Sequence, residues 1–269
     1  MPLVITDRDH NEQDFGLDHE LVSGLWEMEN RHFWHSARNR WLAKALAAHA
    51  LPAGARFLDV GCGSGAVAGF LHRAGFRVVG VDTAEPLLRK AHERCPDVTF
   101  VVGRVEHLPI GGRPFDAVGA FDVLEHLDDP DALLGDALRY LKPGGLVIAT
   151  VPGLRSLHSA IDDLSGHKRR YEPGELAELL RRAGLTDVEE RGIFRATTPV
   201  VRRMRSRTPV EELTAEQRQA IMLANVRVPT PVVNRAFGLL CAAERSIGFG
   251  RAVGRGGGSL LAVGRSPLG

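Results

Sequence analysis

The chain has 269 residues, 44% hydrophobic and 25% charged, which is typical of a globular protein and excludes a disordered, collagen-like or coiled-coil chain. Its formal net charge of +1 argues against a dedicated nucleic-acid binder, because such proteins gain affinity by neutralising phosphates. The 3 cysteines are too few for a disulfide framework, and we find neither a signal peptide nor a membrane-spanning apolar run, so we expect a cytoplasmic protein without a membrane partner.

The amino-terminal part of the sequence predicts a helical lid. Residues 1–16 are polar, and we expect them to be unstructured. Residues 17–50 carry apolar side chains at helical spacing and predict two helices, which end before Pro52 and Gly54. We therefore predict a lid made of residues 1–54.

From Ala55 the pattern changes to short apolar runs that alternate with amphipathic stretches. Predicted strands cover residues 56–60, 77–81, 98–102, 115–121 and 146–151. Predicted helices cover residues 66–73, 85–94 and 130–141. This alternation predicts βαβ units and a parallel sheet with helices on both faces.

After Pro152 the pattern is less regular. A helix is predicted at 173–183, a sixth strand at 186–194 and a seventh at 258–264. We predict one α/β domain with a doubly wound, Rossmann-like, seven-stranded sheet: a core at 55–195, a last core strand within 258–269, and between them a two-helix insert at 196–257 over the acceptor site. The insert holds an arginine patch, which is either a solvated face or a surface for an anionic acceptor: Arg202, Arg203, Arg205 and Arg207.

The strongest motif is a glycine-rich bend where the first core strand turns into a helix. Gly61, Gly63 and Gly65 let the backbone adopt positive φ and let a ligand approach closely. The next strand ends in Asp82, where a carboxylate can accept hydrogen bonds from both hydroxyls of a ribose. Together these residues predict a cofactor that contains a nucleoside.

The identity of the cofactor depends on the residue before this bend. Gly61, Gly63 and Ala66 also satisfy the loose dinucleotide pattern, so an NAD-dependent oxidoreductase stays open as an alternative. However, Asp59 places a carboxylate at the strand end, where it would repel a pyrophosphate but could engage an ammonium group. An ammonium group beside a nucleoside indicates a ligand that also contains an amino-acid moiety, and that ligand is S-adenosylmethionine.

In combination, the motifs resemble the class I S-adenosylmethionine-dependent methyltransferases of the small-molecule type. They occur in the order DVGCGSG, GVD, DVLEHL and LKPGG, and the resemblance covers residues 55–195. It implies a cofactor site with the methionine end at Asp59, Gly61, Gly63 and Gly65, the ribose at Asp82 and Thr83, the adenine at Arg104, Val105 and Glu106, and the sulfonium at Phe121 and Asp122. Arg104 departs from the family pattern. The family usually has an aspartate at this position, which accepts a hydrogen bond from the adenine amino group, whereas an arginine side chain cannot accept one.

Two further segments resemble a bacterial branch of this family. The first, HFWHSAR, implies that Arg38 meets the cofactor carboxylate and that Trp34 roofs the pocket, although a core tryptophan beside a salt-bridged arginine is equally open. The second is GHKRRY at residues 166–171. In it Arg170 and Tyr171 either bind the acceptor, with Arg170 clamping a carboxylate or phosphate, or hold the loop.

Methyl transfer to oxygen requires aligned reactants and benefits from a general base. His126 and His167 follow two of the predicted strands and are our candidate catalytic bases, with a structural role as the alternative for each. We predict no metal, but the spacing of Asp122, Glu125 and His126 leaves open a divalent cation site completed by a further histidine.

The predicted function is S-adenosylmethionine-dependent methylation of a small molecule at oxygen, in bacterial secondary metabolism, with S-adenosylhomocysteine as product. Besides the metal-assisted reaction and the oxidoreductase, two alternatives remain. One is a cofactor-binding protein that does not methylate, and the other is an RNA methyltransferase. We expect a small-molecule acceptor and no nucleic-acid partner. The sequence leaves the oligomeric state open, with a homodimer as one alternative.

Overall fold

A computed structural model describes residues 3–5, 25, 27–205, 208–246 and 256–268. Its strands are β1 (Leu3–Ile5), β2 (Arg56–Val60), β3 (Arg77–Asp82), β4 (Thr99–Val102), β5 (Phe115–Phe121), β6 (Leu141–Pro152), β7 (Thr186–Ile193) and β8 (Ser259–Arg265). Its α-helices are α1 (Phe33–Ala48), α2 (Ala66–Arg73), α3 (Glu85–Arg94), α4 (Pro130–Leu138), α5 (Ala160–Leu164), α6 (Glu175–Arg182), α7 (Thr198–Met204), α8 (Ala215–Val226) and α9 (Pro231–Ser246).

The strands form one sheet in the order β1-β4-β3-β2-β5-β6-β8-β7. Strands β1 to β6 pair in parallel, whereas β8 runs antiparallel to both β6 and β7. The chain order reverses between β2 and β5, which makes the sheet doubly wound. The predicted α/β, Rossmann-like fold class is therefore confirmed.

The predicted strand count is wrong, because the sheet has 8 strands rather than seven. The extra strand is β1, which we expected to be unstructured. Leu3 lies opposite Phe100 and Ile5 opposite Val102, so the segment pairs with the edge of β4. Its Leu-Val-Ile sequence suits a strand, and pairing satisfies backbone groups that β4 would otherwise leave open.

Alternating side chains of each core strand pack on opposite faces of the sheet. In β2, for example, Phe57 joins a cluster with residues of α1, α2 and α3, whereas Leu58 joins a cluster with residues of α4 and α6. Both side chains are fully buried. Burial on both faces explains why the strands lack polar alternation, and it fixes the strand ends that carry the site.

The helices α2 and α3 have their predicted bounds, and α2 begins directly after Gly65, whose φ is 75°. The helix predicted at 130–141 is too long: α4 ends at Leu138, and Leu141 pairs with Phe115 as the first residue of β6. The LKPGG segment therefore lies within β6 rather than in a turn before it. A strand partner outweighs local helix preference here.

The described part of the predicted insert contains three α-helices, α7, α8 and α9, so the expected number of two is wrong. Helix α9 packs on α1, where the rings of Phe33 and Phe237 stack at 4.9 Å. The Asn234 side chain also accepts a 2.7 Å hydrogen bond from the Phe33 N–H. Much of the first predicted lid helix, and Arg207, lie outside the described residues, and the proposed division into lid, core and insert stays a prediction.

Among the described residues, the helices are all too short or too polar to cross a membrane.

Candidate cofactor and active site

The candidate site lies where the carboxyl ends of β2, β3 and β5 meet. In doubly wound sheets this reversal of strand order leaves a crevice between adjacent loops, and ligands bind there. The structure brings the predicted glycine bend and Asp59 to the end of β2, Asp82 to the end of β3, and Asp122 to the end of β5. Residues far apart in sequence therefore surround one edge of the sheet.

The glycine bend is held by backbone hydrogen bonds and leaves one open position. Gly61 donates to the Val81 carbonyl at 2.8 Å, which ties the bend to β3. Gly63 has a φ of 50°, and a Cβ built there would meet no atom within 4 Å. Space beside a glycine at a strand end, with the backbone in a conformation that glycine favours, is what a closely approaching ligand requires.

Asp82 organises this bend through its carboxylate. One oxygen accepts a 2.8 Å hydrogen bond from the Gly63 N–H, and the other accepts a 2.9 Å bond from the Ala84 N–H. Burial raises the pKa of Asp82 although these hydrogen bonds oppose the shift. Asp82 therefore shapes the backbone that would face the cofactor, in addition to its predicted contact with the ribose.

Asp59 is a buried carboxylate with an unpartnered oxygen. The residue is 1% exposed, and its Oδ2 atom has no hydrogen-bond partner. Burial raises the pKa of Asp59 to about 8, and this shift is opposed by the charge of Arg38 and supported by that of Asp82. An unsatisfied acceptor of this kind is costly unless a ligand donates to it, so the site fits the ammonium group of S-adenosylmethionine.

We expect cofactor binding to release about one proton at neutral pH. With a pKa of about 8, Asp59 is protonated in the free protein, and a bound ammonium group would favour its ionised form. The affinity for S-adenosylmethionine should therefore rise with pH until Asp59 is already ionised in the free protein. Calorimetry in buffers of different ionisation enthalpy counts the released protons. Asp59→Asn should bind without releasing this proton, and unchanged release by that variant would contradict the assignment.

Arg38 reaches Asp122 from helix α1. The Arg38 guanidinium lies 2.5 Å from the Asp122 carboxylate, whose other oxygen accepts from the Thr150 hydroxyl at 3.1 Å. Asp122 has a φ of 57°, a strained conformation that non-glycine residues adopt mainly where the surroundings enforce it. Arg38 also lies 5.3 Å from the ring of Trp34, which stacks on Phe194. These contacts match the alternative in which a core tryptophan lies beside a salt-bridged arginine. Binding of the cofactor carboxylate by Arg38 stays a prediction.

Glu29 is a site residue that the sequence analysis missed. Its carboxylate accepts a hydrogen bond from the hydroxyl of Ser64 in the glycine bend. Burial raises the pKa of Glu29, while the Ser64 hydrogen bond and the charge of Arg38 oppose the shift. The segment before α1 thus contacts the bend directly. The sequence pattern around Glu29 gives no signal for this contact, which links residues 35 positions apart.

The residues predicted at the adenine and sulfonium have varied surroundings. Arg104 pairs with the Glu106 carboxylate, whereas Val105 is buried in the core and Thr83 is exposed. Phe121 is also buried, and its ring lies 6.3 Å from that of Phe57 within the core. Cofactor contacts of these residues stay predictions.

The two candidate bases face each other beyond the ends of β5 and β6. The rings of His126 and His167 are 4.8 Å apart and nearly perpendicular. Burial, and then the charge of His167, lowers the pKa of His126 below its ordinary value, so this imidazole is neutral at neutral pH. The Nδ1 atom of His167 lies 3.0 Å from the carboxylate of Asp162. The structure thus brings together the two histidines that the sequence analysis paired by role alone.

Arg170 and Tyr171 make contacts within the protein that favour the loop-holding alternative. Arg170 is 5% exposed and donates to Asp162 and to the Gly153 carbonyl, each at 2.8 Å. Tyr171 donates from its buried hydroxyl to the Leu124 carbonyl at 3.3 Å, and burial raises its pKa to about 12. Acceptor binding by either residue stays a prediction that no contact here supports.

The residues that could hold a divalent cation differ from the predicted set. Glu125, His126 and His167 offer ligand atoms that all lie within 4.8 Å of one another. Glu125 is 1% exposed and its Oε2 atom has no hydrogen-bond partner. Asp122 does not belong to this group, because its carboxylate bonds Arg38 and Thr150 instead. A carboxylate with two imidazoles can bind a divalent metal ion.

Fold and site together define a doubly wound α/β protein built to bind a nucleoside cofactor that carries an ammonium group. The sequence profile of a family described as "Methyltransferase domain" matches residues 31–190. Among curated proteins, the ubiquinone biosynthesis O-methyltransferase of Xanthomonas axonopodis is 31% identical over 211 residues, which cover 72% of this chain and 88% of that protein. The chain therefore belongs to the methyltransferase family and is an S-adenosylmethionine-dependent enzyme.

Solved structures share the fold at low sequence identity. A S-adenosylmethionine-dependent methyltransferase from Archaeoglobus fulgidus superposes with a TM-score of 0.57 at 17% identity, covering 93% of this chain and 100% of that one. The [4+2]-cyclase SpnF superposes with a TM-score of 0.54 at 22% identity, covering 88% of this chain and 84% of that one. One fold thus serves different chemistries, and the reaction must be argued from the site.

Proposed function

We propose that the protein methylates a hydroxyl oxygen of a small molecule, with His126 and His167 at the acceptor. The observation that carries this proposal is the facing pair of imidazoles next to the strand ends, with one ring held by Asp162. The Xanthomonas relative is named an O-methyltransferase, which supports oxygen as the methylated atom. Bound S-adenosylmethionine supplies a methyl group already activated on a sulfonium, so the protein has to align the acceptor and remove its proton.

The lowered pKa of His126 limits which acceptors it could deprotonate. A neutral imidazole such as His126 can take a proton as the oxygen attacks, and the transfer is easier when the hydroxyl is more acidic. Phenolic hydroxyls, with a pKa of about 10, lie within reach of an imidazole base, whereas aliphatic alcohols are far weaker acids. The proposed acceptor is therefore a phenol or an enol.

A second candidate is metal-assisted methylation. It is favoured by the unpartnered Oε2 atom of Glu125 beside His126 and His167. Burial, and then the charge of Asp122, raises the pKa of Glu125 well above its ordinary value, so its carboxylate would ionise most readily next to a cation. These residues could hold a divalent metal ion that lowers the pKa of a bound hydroxyl and orients it.

Formation of S-adenosylhomocysteine from a panel of phenols, catechols and aliphatic alcohols tests both candidates. We expect turnover with phenols and no detectable turnover with alcohols, with full activity after dialysis against a chelator. Loss of activity on chelation that Mg²⁺ or Zn²⁺ restores would favour the metal-assisted reaction instead. Tight cofactor binding without turnover of any acceptor would favour a protein that does not methylate.

Four further properties of the protein are proposed from the sequence. They comprise a role in bacterial secondary metabolism, membership of the branch with the GHKRRY loop, a cytoplasmic location and a homodimer. An RNA acceptor would require salt-sensitive binding through the exposed Arg202 and Arg203, since contacts with phosphates depend on ionic strength.

A further inference from the structure

The carboxylate of Asp162 is the most heavily engaged acidic group near the candidate bases. The residue is 1% exposed and lies in the short helix α5. Its Oδ1 atom is 3.0 Å from Nδ1 of His167 and accepts a 2.8 Å hydrogen bond from Arg170. Its Oδ2 atom accepts a 3.0 Å bond from the Ser159 N–H and a 2.5 Å bond from Arg205.

This set of donors fixes the orientation of the carboxylate. Arg170 holds the oxygen that faces His167, while Ser159 and Arg205 hold the other oxygen. Rotation of the group would break bonds on both sides at once, and a buried carboxylate without its donors is strongly disfavoured. Asp162 therefore presents one oxygen to the ring of His167 at a fixed position.

A fixed acceptor at Nδ1 determines which nitrogen of a neutral histidine carries the proton. When Nδ1–H donates to a carboxylate, the proton cannot also be on Nε2, which keeps its lone pair. The ring also faces the perpendicular imidazole of His126. His167 would thus offer a bare Nε2 atom at the proposed acceptor site.

Arg205 belongs to a different part of the chain from the other members of this cluster. It directly follows helix α7 in the predicted insert, and its Nη1 atom also donates to the Leu157 carbonyl at 2.7 Å. The guanidinium thus connects the insert both to the backbone before α5 and to the carboxylate that holds His167. Its neighbour Arg203, within α7, is exposed.

We propose that Asp162 is a positioning residue that fixes the Nδ1–H tautomer of His167, and that Arg205 from the insert completes this arrangement. This inference rests on the proposed function, in which His167 serves the acceptor, but its first test needs no acceptor. The insert would then affect catalysis through the orientation of a base, without itself contacting the reacting atoms.

The tautomer can be read from long-range ¹⁵N–¹H NMR spectra of the uniformly labelled protein at alkaline pH, with His167→Gln used to assign the signals. We expect His167 to carry its proton on Nδ1 in the unsubstituted protein and to move toward the Nε2–H form in Asp162→Asn. A ring with its proton on Nε2 before any substitution would overturn the inference. Identical spectra with and without the Asp162 carboxylate would overturn it as well.

Kinetics of Arg205 variants test the role of the insert. Arg205→Ala should lower kcat about 10- to 100-fold while the KM for S-adenosylmethionine stays the same, as expected for a residue that supports a reacting group. Arg205→Lys should recover part of the loss, and Arg218→Ala, at an exposed position of α8 in the same insert, should behave like the unsubstituted protein. An equal loss in the Arg218 control, or a loss confined to KM, would contradict the role of Arg205.

Failure of the proposed function and failure of the positioning role of Asp162 give different experimental results. If no acceptor yields S-adenosylhomocysteine, the proposed function is wrong, and the NMR measurement still decides whether Asp162 sets the tautomer. If turnover occurs but the spectra show no dependence on Asp162, the positioning inference is wrong and the proposed function stands.

Discussion

Asp82→Asn is expected to lower the affinity for S-adenosylmethionine by about 100-fold or more. Both carboxylate oxygens accept backbone N–H groups, from Gly63 and from Ala84. Hydrogen bonds to a charged group contribute about 1.5–3 kcal/mol each, and about 1.4 kcal/mol corresponds to a tenfold change in affinity. An asparagine turns a donor toward one of the two N–H groups whichever way its amide is oriented, so the bend loses its ordered shape. The ribose would also lose the acceptor that is predicted for it.

Isothermal calorimetry with S-adenosylmethionine and S-adenosylhomocysteine measures this effect directly. The matched control is Asp97→Asn, because Asp97 is exposed and lies at the amino end of β4, away from the strand ends that form the site. Circular dichroism and thermal unfolding of both variants establish that the fold is retained. Near-normal affinity in a folded Asp82 variant would show that the nucleoside is bound elsewhere.

Much of the fold could be predicted because the core strands are buried on both faces. Strands such as β2 and β5 consist of short apolar runs bounded by polar or glycine residues, and their predicted bounds agree with the structure. Strand β1 could not be predicted in this way. Its three residues form a strand only because β4 offers an unpaired edge, and a short segment carries no such information by itself.

Site residues recognised from local sequence spacing could be predicted, whereas those defined by contacts between distant parts of the chain could not. Asp59, Gly63 and Asp82 could be identified because a ligand near a strand end demands particular residues at fixed spacing. Glu29 could not, because its partner Ser64 is 35 positions away. Arg205 is predicted only as a member of the arginine patch, and its contact with Asp162, 43 positions away, could not be predicted. Side chains of this kind become visible only when packing brings their elements together.

His167→Gln is expected to lower kcat with a phenol acceptor by about 10²- to 10⁴-fold, the range for loss of a general base. The affinity for S-adenosylmethionine should change little, because the described contacts of His167 go to Asp162 and His126 and not to the glycine bend. Stopped assays of S-adenosylhomocysteine formation, combined with calorimetry, separate the two quantities. His158→Gln is a close control, since His158 lies in the same region and pairs with Asp163 at 2.7 Å.

The dependence of this loss on acceptor acidity distinguishes a base from a metal ligand. If His167 removes a proton, a more acidic phenol needs less help, so the deficit of His167→Gln should shrink as the acceptor pKa falls and nearly vanish for a nitrophenol. If His167 instead holds a metal ion with Glu125 and His126, the variant should bind the ion more weakly and respond to added Mg²⁺ or Zn²⁺. A loss of kcat that stays constant across the phenols and is reversed by added metal would therefore identify His167 as a metal ligand. Another group would then have to remove the proton of the acceptor.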